Sequence, residues 1–146
     1  MPVDKTSSGP LKKSQVVLAF DYGLRHIGVA VGQRLIQSAQ PLSIVNARDG
    51  VPDWRVIEQV IREWKPDVLL VGLPLNMDGS DSEMSARASK FARQLNGRFA
   101  LPVEMIDERL SSFAAKQHRQ ETPRKGGFLT VDAEAACVFL QDYWRR

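Results

Sequence analysis

Residues 19–33 read AFDYGLRHIGVAVGQ, an acid at the end of one apolar run followed at once by a second apolar run. Val16 to Phe20 is β-branched and aromatic, Tyr22 to His26 is a short turn containing glycine, and Ile27 to Val31 is apolar again. The pattern predicts a β-hairpin with Asp21 at its bend. A strand end buried on both faces is a rigid mount, and a carboxylate leaving it can be aimed as a metal ligand or general base must be. An Asp before a glycine turn also serves as a plain turn residue bonding its own backbone, so the rest of the chain has to decide between the two roles.

Beyond the hairpin, Leu35 to Val45 alternates and ends in the turn cluster Asn46, Asp49 and Gly50, which predicts a third antiparallel strand. Asp53 suits the N-cap of a helix whose Trp54, Ile57, Ile61 and Trp64 share one face, with Pro66 closing it. Val68 to Val71 is wholly apolar, the composition of a strand covered on both sides. It leads into the loop GLPLNMDGS. Ser80 and Glu83 match a capping box, and Met84, Ala88, Phe91, Ala92 and Leu95 form the stripe of a helix that Gly97 ends. Pro102 opens a short strand through Ile106 that runs into Asp107, Glu108 and Arg109. Leu110 to Gln120 reads as helix and ETPRKGGFLT as a basic, mobile, glycine-rich segment. A last helix is predicted from Val131 through Trp144.

Three antiparallel strands followed by alternating helix and strand imply an α/β fold, a mixed five-stranded sheet with helices on both faces. A length of 146 residues suits one domain, expected over 15–146 behind a flexible tail at 1–14. The single cysteine, Cys137, falls in the apolar pattern of the last helix, which excludes a disulfide framework and a cysteine zinc site. No run is long enough to span a bilayer and the polar start has no signal-peptide core, so a cytoplasmic protein with no membrane partner is expected. Net charge is only +3, but Arg87, Lys90, Arg93, Arg98, Arg109, Lys116, Arg119, Arg124 and Lys125 gather after position 85, a distribution that suits a polyanion.

In such a sheet the carboxyl ends of the first strand and the later parallel strands lie on one edge, where ligands bind in open α/β folds. Asp21 stands there, as does one of Asp107 and Glu108, which alternate to opposite sides of their strand. Asp132 precedes Ala135 and Ala136 of the last helix by three and four residues, on the face of its apolar stripe, and it could equally serve as a helix cap. Three carboxylates without His or Cys favour a hard cation, Mg2+ or Mn2+, as one or two ions. Beside a basic surface such a site suits phosphodiester hydrolysis. Glu134 points away from the stripe, and neither His26 nor His118 is assigned to catalysis.

The segments LAFDYGLRHIGVAVG, VGLPLNMDGS with its basic helix, DERLSS and VDAEAA together resemble the YqgF family of bacterial RNase H-like nucleases, in order and over nearly the whole chain from Val16. Members are described as Holliday junction resolvases and as nucleases that mature the 5′ end of pre-16S rRNA. The resemblance implies an RNase H-like fold and a catalytic, metal-binding set of Asp21, Glu108 and Asp132, choosing Glu108 over Asp107. Two departures stand out, Ala133 where the family usually has Ser and a shorter, less basic segment before VDAEAA. Contacts to nucleic acid are expected from Asn76, Arg87, Lys90, Arg93, Arg109, Arg124 and Lys125. The substrate is a pre-rRNA or, alternatively, branched DNA, and the protein a monomer or weak homodimer. DYGLRHIGVAVG also resembles the first phosphate loop of actin-like ATPases, but one domain leaves no room for their second phosphate loop. A nucleic-acid-binding module without catalysis is the remaining alternative, and the intact trio of acids speaks against it.

Overall fold

β1 (Val16–Asp21) and β2 (His26–Gln33) pair antiparallel, with Asp21 opposite Gly28, so the hairpin stands where the sequence predicts it. The structure is a computed structural model that describes residues 15–108 and 127–145, with side chains in the last helix from residue 133 onward. β2 continues to β3 (Gln40–Arg48), which folds back into the two-residue β4 (Val51–Pro52). After the helix α1 (Trp54–Trp64) comes β5 (Val68–Leu73), parallel to β1, then the helix α2 (Glu83–Phe99) and β6 (Val103–Asp107), parallel to β5. The helix α3 (Gly127–Trp144) ends the fold. The sheet order is β4-β3-β2-β1-β5-β6.

Alternation along the central strands divides the core into two layers. Leu18, Phe20, Leu69 and Val71 pack with Ile57 of α1 and with Ala88, Phe91, Ala92 and Leu95 of α2. Val17, Ala19, Val68, Leu70 and Ile106 face α3, against Ala136, Cys137, Phe139 and Leu140. Helices therefore cover both faces, as expected, and Cys137 is buried. The Trp144 end of α3 lies over Gly32, opposite Val17 at the start of β1, while Phe139 lies over Gly72 near the end of β5. The helix thus runs antiparallel to β1, and its amino end lies toward the carboxyl edge of the sheet.

Several elements differ from expectation, each for a local reason. The sheet has six strands among the described residues; Val51–Pro52 is too short to show periodicity. The third strand begins at Gln40, because residues 34–37 form a turn in which the Gln37 N–H donates to the Arg34 carbonyl and Leu35 and Ile36 stand exposed. The capping residue of α2 is Ser82, reciprocally bonded to Ser85; the Ser80 hydroxyl is taken up by Asp78 in the preceding turn. Asp53 caps α1 as predicted, accepting from the Arg55 N–H. α3 begins four residues early, at Gly127. The expected tail, the helix at 110–120 and the basic residues 121–126 lie outside the described residues. Among the described residues no helix is long and apolar enough to cross a membrane.

Gly97 does not end α2, which runs on to Phe99 and closes on Ala100 in the left-handed region. A Cβ at Gly97 would meet nothing within 4 Å. Gly97→Ala is therefore expected to raise stability by about 0.5–1 kcal/mol, seen as a higher midpoint in urea with an unchanged slope.

Candidate active site at the carboxyl edge of the sheet

β1 runs between β2 and β5, and the five residues from Val17 to Asp21 are all buried. Asp21 has the parity of Val17 and Ala19, so its carboxylate leaves the sheet on the α3 side. On β6 the residue sharing that side is Ile106, which makes Glu108, two residues on, the acid that returns to it. The strand pairing persists that far, since the Glu108 N–H donates to the Leu73 carbonyl at 3.2 Å. Asp107, paired with Leu73, falls to the opposite side. Asp21 and Glu108 are each only 9% exposed and belong to the few buried polar residues described.

Gly72 lies between them. The pairings Phe20↔Val71 and Gly72↔Ile106 put it beside Asp21 on one strand and just before Glu108 on the other. A Cβ at Gly72 would strike the Phe139 ring and come within 2.6 Å of Glu108 Oε2. The Glu108 carboxylate therefore lies over the middle strand, reaching toward the strand that ends in Asp21, with Phe139 beside it. Adjacent strands are about 4.8 Å apart, so two acids two strands apart need one of them to bend over the strand between, and only a missing side chain there allows it. An oxygen-only donor set in a bare cradle suits a hard divalent cation. Among the described residues no three His, Cys, Asp or Glu side chains stand together. Asp132 belongs to α3 by its backbone, one turn before Ala136 and nearly two before Phe139, and its side chain lies outside the described residues.

The expected nucleic-acid contacts divide. Asn76 uses its amide to hold the loop before α2, donating to the Ser80 hydroxyl and the Asp81 carbonyl, both at 3.1 Å. Arg87, Lys90 and Arg93 line one groove together with Tyr22. The Tyr22 hydroxyl donates to the Gly50 carbonyl at 2.6 Å and so ties the residue after Asp21 to the β3–β4 turn, where Gly50 takes a φ of +84°. Burial raises the Tyr22 phenol above its ordinary 10.0 against the opposing pull of Arg87, so it remains a donor through the neutral range. Arg109, Arg124 and Lys125 lie outside the described residues. Sequence reading missed both Gly72 and Tyr22; the only available signal for Gly72 was a glycine interrupting the apolar run VLLVGL.

A family model described as "RuvX: Holliday junction resolvase" matches residues 15–146. The protein named "Putative pre-16S rRNA nuclease" from Azotobacter vinelandii is 51% identical over 138 residues, covering 93% of this chain and 94% of that protein. Its namesake from Pseudomonas putida is 54% identical over 132 residues, covering 88% and 94%. Among solved structures, T. thermophilus RuvC in complex with a Holliday junction substrate aligns with a TM-score of 0.55 at 18% identity, over 89% of this chain and 93% of that one. The yeast mitochondrial Holliday junction resolvase aligns with a TM-score of 0.51 at 8% identity, over 90% and 78%. At such identities the likeness is one of fold, and it makes the mixed sheet RuvC-like and RNase H-like.

Proposed function

The chain belongs to the RuvX (YqgF) family, and from that premise we propose that it is a metal-dependent endonuclease that hydrolyses phosphodiester bonds in the 5′ leader of pre-16S rRNA. The observation that carries the reading is the pair of buried acids, Asp21 and Glu108, on one face of the sheet with Gly72 bare between them. The names of relatives more than half identical to this chain support the substrate.

Asp21, Glu108 and Asp132 would hold Mg2+ or Mn2+, as one or two ions. When bound, the cation lowers the pKa of an attacking water and stabilises charge on the scissile phosphate. The protein contributes position. Asp21 is fixed by strands on both sides, Glu108 is directed over β5 by the absence of a side chain at Gly72, and the buried Phe139 ring packs over the same glycine. The backbone of Asp132 belongs to the amino-terminal turns of α3, the end that lies toward this edge, and that placement supports it as the third donor. Residues 15–146 act as one domain, with nucleic acid held through Arg87, Lys90, Arg93, Arg109, Arg124 and Lys125, and Asn76 fixing the loop before α2.

Excess EDTA is expected to stop cleavage without changing the far-ultraviolet circular dichroism, since both core layers are built of apolar side chains and the acids lie at the edge of the sheet. Mg2+ or Mn2+ should restore activity and Ca2+ should not, its larger and looser shell failing to hold water and phosphate in line. Cleavage that continues in EDTA contradicts the metal mechanism.

The family description and the RuvC-like fold favour a second reading, resolution of branched DNA. Symmetric cutting of a junction normally requires a dimer, whereas trimming one RNA strand does not. Sequencing of rRNA 5′ ends after depletion of the protein separates the two. Unprocessed leader, rescued by the wild type and not by Asp21→Asn, supports the ribonuclease. Normal ends, together with symmetric junction cleavage by the purified protein, support the resolvase.

A further inference from the structure

A groove of about 550 Å3 opens on the α1 and α2 side of the sheet, and Tyr22, the residue after Asp21, lines it. One wall is α2, with Arg87, Lys90 and Arg93; the other is the chain from the β3–β4 turn into α1, with Val51, Pro52 and Trp54. The cations recur every third residue, so they rise about 9 Å along the helix. Like charges so spaced disfavour a helix by a few tenths of a kcal/mol per pair. Elsewhere the chain offsets such charges, pairing Arg62 with Glu58 at 2.8 Å and Arg145 with Asp142 at 3.2 Å. On α2 Arg87 has Glu83 at 3.8 Å, but Lys90 and Arg93 have no acid three or four residues away and no hydrogen-bond or ion-pair partner among the described residues.

The opposite wall is apolar. Val51 is 63% exposed, and Trp54 is held flat by the Phe91 ring at 5.9 Å and by the Arg98 guanidinium 4.0 Å over its indole. Two cations without a partner among the described residues, facing the exposed Val51 and the partly exposed Trp54, match a strand whose phosphates and base faces are both available. A duplex turns its base faces inward and would leave the strip with nothing to cover it.

We propose that this groove binds single-stranded nucleic acid, its phosphates against Lys90 and Arg93 and a base against Val51, Pro52 and Trp54. The proposal names the strand form that the nuclease takes along the face of the sheet opposite its acids, and it rests on the nuclease reading for the identity of the ligand. The acids Asp49 and Glu83 also line the groove.

The test is fluorescence anisotropy in EDTA, where no cutting occurs, with a labelled short oligouridylate, its abasic counterpart and an RNA duplex of equal length. The wild type should prefer the oligouridylate to both. Lys90→Ala with Arg93→Ala should weaken that binding roughly tenfold and lower the salt slope by about 1.4, ~0.7 for each lost phosphate contact. Val51→Ser should shrink the difference between the uridylate and abasic probes, and Arg62→Ala, on the outer face of α1, should change nothing. Equal affinity for duplex, an equal affinity for the abasic probe, or full binding by the double variant overturns the proposal. Because binding is read without the cation, a wild type that binds in this way but cuts no RNA contradicts the nuclease reading and leaves the groove in place.

Discussion

Asp21→Asn and Glu108→Gln are each expected to lower metal-dependent cleavage by about three orders of magnitude, the effect of losing ~4 kcal/mol of charge stabilisation at the scissile phosphate. Each substitution removes ligand charge and almost no volume. Asp21 is mounted on a strand with neighbours on both sides, and Glu108 still takes part in the pairing of β6 with β5, so the backbone of neither depends on the carboxylate. Thermal midpoints should equal or exceed that of the wild type, because carboxylates crowded into one patch repel one another when the cation is absent. Asp132→Asn should behave in the same way. Full activity in any of the three, at native stability, removes that residue from the site.

The second large effect concerns a residue with no chemistry of its own. Gly72→Ala places a methyl group against the Phe139 ring, which is fully buried, and against Glu108 Oε2. One of the two must move. Overpacking of this kind costs about 1–3 kcal/mol, and a displacement of a reacting group by ~1 Å costs cleavage about a hundredfold. Gly72→Ala should therefore melt earlier than the wild type and cut far more slowly. Combining it with Phe139→Leu relieves the ring and not the carboxylate, so stability should partly return while cleavage stays low. A Gly72→Ala protein with native melting and native turnover would show that the cradle has no role.

These two expectations differ in how far the sequence alone could carry them. The hairpin bearing Asp21 was legible because β-branched runs on either side of a glycine turn leave few alternatives, and the stripe of α2 was legible because Ala88, Phe91, Ala92 and Leu95 recur at helical spacing. The choice between Asp107 and Glu108 was not, since alternation shows only that they diverge. The family resemblance pointed to Glu108, and the burial of Ile106 against α3 gives the physical reason, putting Glu108 on the side of Asp21. Ser80 looked like the cap of α2 because its spacing to Glu83 fits, but a hydroxyl can make a competing local bond, and Asp78 two residues earlier supplies it. Gly72 went unread for a different reason. A glycine in a strand states that a side chain is absent, and what occupies the space depends on the strand beside it and the helix above it. The groove likewise joins the residue after β1, the β3–β4 turn, the start of α1 and α2, distant in sequence and brought together only by the fold.

Cleavage of a 5′-extended 16S precursor by the purified protein, with wild type and Asp21→Asn assayed side by side and the new ends mapped by primer extension, tests the central claim most directly. A discrete cut in the leader that requires Mg2+ or Mn2+ and disappears in both EDTA and the Asp21→Asn protein is the expected result. The same cut at the same rate from Asp21→Asn, or from the wild type in EDTA, would contradict a catalytic cation held at the carboxyl edge of the sheet.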